Sequence, residues 1–324
     1  MVGAMAGSAV LAARDKARQL EIVTLTINNS CNLRCPHCYL QYASENGDLI
    51  QWDNISHVLD SRFSHLCIAG KEPLSNKHAA ALTSRLVAVV ADTGRTSSFI
   101  TNGLNLRLLD VGTFKRLDWL DVSVDGSSET YAEYRGGSYS KLVRGIEYAR
   151  DSGLRDLRIL HTVSSGNLKA TGEALDAALS FQPQHVVVSS FQATRHDGYQ
   201  GVTMVPPSTL LRALENAAAH LDSRIWLTLD SGYVEYFGDS EAVSLAGELF
   251  GDRFLYVDSD PIDRGIIRVT YDGLVLSPFE SVHTADYSQC GRPLRDRSLT
   301  EWYQTILAEA SFAERHSAFQ PQCH

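Results

Sequence analysis

The chain has little that would place it in a membrane, outside the cell or on a nucleic acid. No apolar run approaches the roughly 18 residues that span a bilayer, so no crossing is expected. Cysteine is scarce, six in 324 residues, and three of the six fall between positions 31 and 38. A disulfide framework would spread them through a small secreted domain, so a reducing compartment is expected instead. The start, "MVGAMAGSAVLAARDKARQLEI", lacks a basic stretch ahead of its small apolar run and a clear cleavage site, which points to the cytoplasm. Basic residues are outnumbered, 29 against 38 acidic, for a net charge of −9. That balance leaves no basic stripe for a phosphate backbone, making nucleic acid a poor partner and a cationic small molecule a better one. Repeats, low-complexity tracts and linkers are also missing.

What is present is a globular composition, 44% hydrophobic and 21% charged, of a length that suits one α/β barrel with an appendage. Strand-like runs at 21–29, 65–70, 96–103, 119–126, 156–164 and 185–191 alternate with helical periods such as Leu82, Leu86, Val89 and Val90. Six such units imply a parallel sheet with right-handed crossovers. The runs alternate in polarity: Val23, Leu25 and Ile27 oppose Thr24, Thr26 and Asn28, and Leu120, Val122 and Val124 oppose Asp121, Ser123 and Asp125. One face wants helices and the other a polar lumen, which favours a barrel over a doubly wound sheet. The expected fold is α/β, a partial (β/α)6 barrel of the TIM type over 21–205. A short extension (1–20) precedes it, and a small α+β cap or substrate lid (206–324) follows. The cap is expected to hold a helix over 206–221, the strand "IWLTLDS", a hairpin around Tyr271-Asp272-Gly273 and a helix in "SLTEWYQTILAEA".

The chemistry concentrates in Cys31-x3-Cys35-x2-Cys38, just after the first strand, at the barrel mouth where such folds carry their sites. Thiolates select zinc, copper(I) or iron–sulfur clusters. A structural zinc wants a fourth ligand; His37 would have to fold back between two cysteines, and Cys67, Cys290 and Cys323 are remote. Three thiolates on a four-iron cube instead leave one iron open to an exogenous ligand.

This loop resembles that of the radical S-adenosylmethionine (SAM) enzymes, CxxxCxxC with an aromatic or apolar residue before the last cysteine, a place filled here by His37. The resemblance continues in order. Gly70-Lys71-Glu72-Pro73 is similar to the family's Gly-Gly-Glu-Pro, with lysine replacing the second glycine; Thr101-Asn102-Gly103 matches "TNG"; and Ser123-Val124-Asp125-Gly126, Tyr134-Arg135-Gly136 and Ser138-Tyr139 follow the run of the SPASM/twitch-like subgroup that modifies peptides and carbohydrates. It covers roughly residues 21–195. It implies one [4Fe–4S] cluster held by Cys31, Cys35 and Cys38, with SAM on the open iron. An electron from a donor such as flavodoxin or ferredoxin then releases a 5′-deoxyadenosyl radical that abstracts hydrogen from substrate. Gly70 and Glu72 would meet the SAM amino group, with His37 and Asn102 beside the cofactor; Ser123, Arg135 and Asn167 would reach its carboxylate or ribose. Asp125 would bind SAM or brace the turn at Gly126.

Where many relatives carry "D-G-x-V-x-P-C", this chain reads Asp272 to Pro278 and then Phe279. Cys290 and Cys323 alone are too few for a second cluster, which leaves a degenerate cap. Without an auxiliary electron acceptor, epimerisation is favoured, and the length and late cysteine resemble the aminoglycoside and aminocyclitol epimerases of the neomycin type. Cys290 is the candidate hydrogen donor, an ordinary loop cysteine, or a ligand of an unexpected second cluster. The rivals are dehydrogenation of a secondary alcohol, with Glu280, His283 or Asp286 as base or as ligands for substrate ammonium groups, and modification of a ribosomal peptide. Cys67, His161 and His185 read as core residues, and Cys323 as irrelevant.

Overall fold

Strand β1 (Ile22–Thr26) shows how alternation becomes a barrel wall: Val23 and Leu25 are fully buried in the hydrophobic core, while Thr24 and Thr26 turn to the opposite face. The computed structural model describes residues 19–38, 47–192, 201–258, 261–278 and 291–309. Within it β2 (His65–Ala69), β3 (Thr96–Thr101), β4 (Trp119–Ser123), β5 (Leu157–Val163) and β6 (His185–Ser190) follow in order, each parallel to its predecessor. All six expected strands are there, trimmed by one to three residues at their ends.

Helices α1 (Trp52–Leu59), α2 (Lys77–Asp92), α3 (Val111–Arg116), α4 (Tyr131–Arg135), α5 (Tyr139–Asp151) and α6 (Thr171–Ser180) make the crossovers. In α2 the buried residues Ala79, Ala80, Thr83, Leu86, Val87 and Val90 recur every three or four positions, which gives the helix one face to lay on the sheet. Its start is fixed by Asn76, whose side chain accepts hydrogen bonds from the His78 and Ala79 amides at 2.9 and 3.0 Å, a cap worth about 1 kcal/mol.

The expected end of the barrel at residue 205 is corrected by the strand pairing. After α7 (Pro207–Asn216), β7 (Ile225–Asp230) pairs parallel with β6, and after α8 (Ser231–Phe237) and α9 (Glu241–Phe250), β8 (Phe254–Val257) pairs parallel with β7. "IWLTLDS" therefore belongs to the barrel wall. On the other edge β9 (Ile266–Val269) pairs parallel with β1, and β10 (Leu274–Leu276) and β11 (Arg292–Pro293) complete an 11-stranded sheet. The hairpin forms between β9 and β10 with Gly273 at φ +82°, the left-handed geometry its Asp-Gly pair supplies. The terminal helix forms as α10 (Leu299–Ala308), opened by a capping box between Ser298 and Glu301. No helix among the described residues is long and apolar enough to cross a membrane.

Candidate functional site

The lumen faces of these strands end around one cavity of about 340 Å³, a size in the range of small-ligand sites, ~300–1,000 Å³. Cys31, Cys35 and Cys38 line one side of it. The loop that carries them is short and tightly bonded: the Cys38 amide donates to the Cys35 carbonyl at 3.1 Å, and the Leu33 amide to the Cys31 sulfur at 3.3 Å. Burial, and then the nearby Glu72 carboxylate, push the Cys31 thiol up to about 12. Burial also raises Cys35, which the Arg135 cation opposes.

Glu72 follows β2 and is 2% exposed. Its Oε1 accepts from the Thr101 hydroxyl at 2.6 Å and the Leu74 amide at 2.9 Å, and its Oε2 accepts from the Asn102 amide at 2.7 Å. One carboxylate thus ties the end of β2 to the end of β3. Asn102 in turn donates from Nδ2 to Asn32 Oδ1 at 2.8 Å and lies 4.0 Å from the Cys31 sulfur, joining that corner to the cysteine loop. Gly70 is required by close approach: a Cβ there would stand 2.2 Å from Asn28 Oδ1. Asn28 cannot easily yield, since its Nδ2 donates to the Glu72 carbonyl at 2.7 Å and to Ser75 Oγ at 3.0 Å. Gly70, Lys71, Glu72, Asn102 and Ser123 all line the cavity.

A second buried network centres on Asp125. Its Oδ2 accepts from Arg135 and stands 3.3 Å from His37 Nε2, while its Oδ1 accepts from the Thr162 amide at 2.7 Å. Burial alone would raise Asp125, but Arg135 and the two histidines, His161 and His37, hold it well below the usual carboxylate range. His37 stacks on Tyr134 with ring centres 4.5 Å apart, and the Tyr134 hydroxyl bonds Ser164 Oγ at 2.7 Å. Of this group His37 and Arg135 line the cavity, and Asp125 braces them from behind. Asn167 also stands behind: its amide donates to the Thr162 and Asp125 carbonyls at 2.9 and 3.3 Å and accepts from the Ser164 amide at 2.8 Å. Every polar atom of its side chain is engaged in holding the loop after β5, and Asn167 is not among the residues that line the cavity.

The residues fit the expected cofactors. His37 Nδ1 and Arg135 Nε are buried polar atoms without a hydrogen-bond partner, a costly state that a bound polar group would relieve. No three His, Cys, Asp or Glu side chains converge on a single-ion site among the described residues. Each thiolate of a cuboidal cluster binds its own iron, so the sulfurs ring the cube and need not meet at a point. The core readings of Cys67 and His161 match their burial, and neither these two nor His185 lines the cavity. Cys290, Cys323, Phe279, Glu280, His283 and Asp286 lie outside the described residues.

The sequence reading missed the wall opposite the cysteines. Ser189 and Ser190 of β6, Thr228 and Asp230 of β7, Arg264 just before β9 and Arg268 on it line the same cavity. The signal was available in "IWLTLD", where Trp226, Thr228 and Asp230 alternate with Ile225, Leu227 and Leu229, as on the first six strands.

The Radical SAM superfamily model matches residues 25–177. Among curated proteins the chain is 27% identical over 171 residues to a probable GTP 3′,8-cyclase of Sulfolobus acidocaldarius, covering 50% of this chain and 53% of that one. It is 29% identical over 166 residues to a probable GTP 3′,8-cyclase of Methanococcus vannielii, covering 49% and 55%. The chain thus spans about half the length of these relatives. Among solved structures, Streptococcus suis SuiB bound to its precursor peptide SuiA superposes with a TM-score of 0.64 at 13% identity, over 88% of this chain and 64% of that one. Native anSMEcpe with bound AdoMet superposes with a TM-score of 0.61 at 17% identity, over 87% and 80%. These likenesses carry the fold. With the family match falling on the three-cysteine loop, Glu72, Asn102 and the Asp125 network, residues 25–177 are a radical SAM superfamily domain, whose cofactors are a [4Fe–4S] cluster and SAM.

Proposed function

We propose that the protein is a radical SAM enzyme that removes hydrogen from a small, amine-bearing cyclitol or aminosugar, of the kind found in aminoglycoside biosynthesis, and that epimerisation follows. The observation that carries this reading is a cavity with three thiols on one side and, on the other, the hydroxyls of Ser189, Ser190 and Thr228 with the Asp230 carboxylate, flanked by the Arg264 and Arg268 guanidinium groups. When bound, the cluster and SAM supply the hydrogen-abstracting 5′-deoxyadenosyl radical. Cys31, Cys35 and Cys38 would hold the cluster, and Glu72, Asn102, Ser123 and Arg135 would position SAM against it. Ser189, Thr228 and Asp230 orient the ring of the substrate by hydrogen bonds. Leu33, Ile100, Leu160 and Phe191 give the cavity its apolar lining and exclude water. Cys290 returns a hydrogen atom to the opposite face of the carbon; an electron from a flavodoxin or ferredoxin, with a solvent proton, restores its thiol.

The test is anaerobic reconstitution, with about four irons per chain expected, and then incubation of the reduced protein and SAM with aminocyclitols, aminoglycosides and short peptides. Substrate-dependent 5′-deoxyadenosine with the cyclic amines is the expected result, and a response to peptides alone would overturn the reading. In deuterated water the epimer should carry one deuterium at the inverted carbon. A ketone product would assign oxidation instead.

A further inference from the structure

We propose that Asp230 is the carboxylate that recognises a protonated amine of the substrate, with the Thr228 hydroxyl beside it bonding a neighbouring group on the same ring. The proposal rests on the reading of the cavity as a substrate site and names the chemistry of its far wall. Thr228 and Asp230 stand two residues apart on β7, so both project from the same face, and both line the cavity. Register sets them among specific neighbours: Thr228 pairs with Ser189 of β6, and Asp230 with Val257 of β8, all four on the cavity wall.

Two features show that this wall lacks its partner. Thr228 Oγ1 is buried with no hydrogen-bond partner, and Asp230 takes part in none of the ion pairs among the described residues. The arginines on the β9 side of the cavity do not fill that role: Arg264 pairs with Asp258 at 3.6 Å, and neither Arg264 nor Arg268 is among the groups that perturb Asp230. Burial, with a further contribution from the Glu235 carboxylate, pushes Asp230 up to about 6. A sheltered carboxylate with a like charge nearby either takes up a proton or takes a cation from a ligand, and a primary amine supplies that cation with three donors.

Asp230 also has a structural duty, because its Oδ1 accepts from the Gly232 amide at 2.9 Å and caps α8. Asparagine and serine cap helices as well as aspartate does, so Asp230→Asn and Asp230→Ser keep the cap and remove the charge. The experiment is equilibrium binding to the reconstituted, unreduced protein with SAM present, using two matched pairs: 2-deoxystreptamine against inositol, and glucosamine against glucose. The wild type should prefer each amine by about tenfold or more, the gain expected of a sheltered charge pair. Asp230→Asn and Asp230→Ser should lose that preference, with the affinity for the amines falling far more than the affinity for inositol and glucose. Thr228→Val should weaken amine and neutral ligands alike. Equal affinity of the wild type for amine and neutral partners, or an amine preference that survives in both Asp230 variants, overturns the proposal. Failure of the radical reading has a separate signature: no 5′-deoxyadenosine from reduced wild type with any substrate, whatever the binding data show.

Discussion

Replacing Glu72 tests the corner on which the cofactor end depends. Three donors converge on its carboxylate, from Thr101, Leu74 and Asn102, at 2.6, 2.9 and 2.7 Å. Glu72→Gln offers one oxygen and one NH2. With the oxygen in the Oε1 position the Thr101 and Leu74 bonds survive, and the NH2 faces the Asn102 amide donor to donor. With the amide flipped, the Thr101 hydroxyl can rotate to accept, but the Leu74 amide is orphaned. Either way one backbone amide is unsatisfied, at about 1–3 kcal/mol. Loss of a buried charge offsets part of this, since burial raises the Glu72 pKa, which brings the expected cost to about 1–2 kcal/mol. Glu72→Ala orphans all three donors, and although water can enter from the cavity, about 3–5 kcal/mol is expected. The assay is urea unfolding of the cluster-free protein by tryptophan fluorescence, with hydrogen exchange at peptides containing Leu74 and Asn102. The gap between wild type and Glu72→Gln should depend on pH. A carboxylate raised in the folded state loses stability as pH climbs from its ordinary 4.5 through the raised value, so the gap should narrow over that window. A Glu72→Gln protein as stable as wild type, with unchanged protection at both peptides, would refute the account of the corner.

Gly70→Ala drives a methyl against Asn28 Oδ1, so thermal unfolding should show a loss of about 1–3 kcal/mol. Asp125→Asn leaves the buried Arg135 cation without its carboxylate; a cost of about 3–5 kcal/mol is expected, visible as loss of soluble protein or a large shift in the urea midpoint. Because Asp230 is raised to about 6, its charge is present above that pH and lost as pH falls through it. The affinity for an amine-bearing ligand should therefore weaken on acidification through about pH 6 in the wild type, and Asp230→Asn should flatten that limb of the binding profile.

The six strands that were legible are those whose alternation is framed by strong helical periods, as with the Thr24 and Thr26 face of β1 and the Ser123 face of β4. Alternation is local chemistry and can be read from one segment. The attachment of β9 to β1 is not local, because Ile22 pairs with Ile266 across almost the whole described chain, and nothing in either four- or five-residue run names its partner. The same holds for β7 and β8, whose alternation does not say that they pair with β6 and with each other, so residues 225–257 read as part of a cap. The three-thiolate loop was legible through its spacing, and Glu72 and Asn102 through the resemblance of their segments to the family's motifs. The roles of Asp125 and Asn167 were not, since an acceptor that binds a ligand and one that binds a backbone amide, that of Thr162 for Asp125 and of Ser164 for Asn167, have the same side chain. Only the structure shows that Asn167 is fully engaged with Ser164, Thr162 and Asp125.

The two sides of the cavity differ in how their polar groups are satisfied, and the difference follows from what each must do. On the cofactor side the carboxylates are saturated: Glu72 takes three donors, and Asp125 takes Arg135, His37 and the Thr162 amide. Saturation fixes each group in one rotamer, which a reaction begun by a radical needs, because misplacement of the reacting atoms costs rate steeply. A buried polar atom without a hydrogen-bond partner costs about 1–3 kcal/mol, which a ligand can recover where the atom borders a cavity. Among the buried atoms without a partner, Arg135 Nε and His37 Nδ1 border the cavity on that side and Thr228 Oγ1 borders it on the far wall. All three residues line the same cavity, so the incomplete hydrogen bonds mark out two neighbouring ligand positions, one beside the cysteines and one against β7.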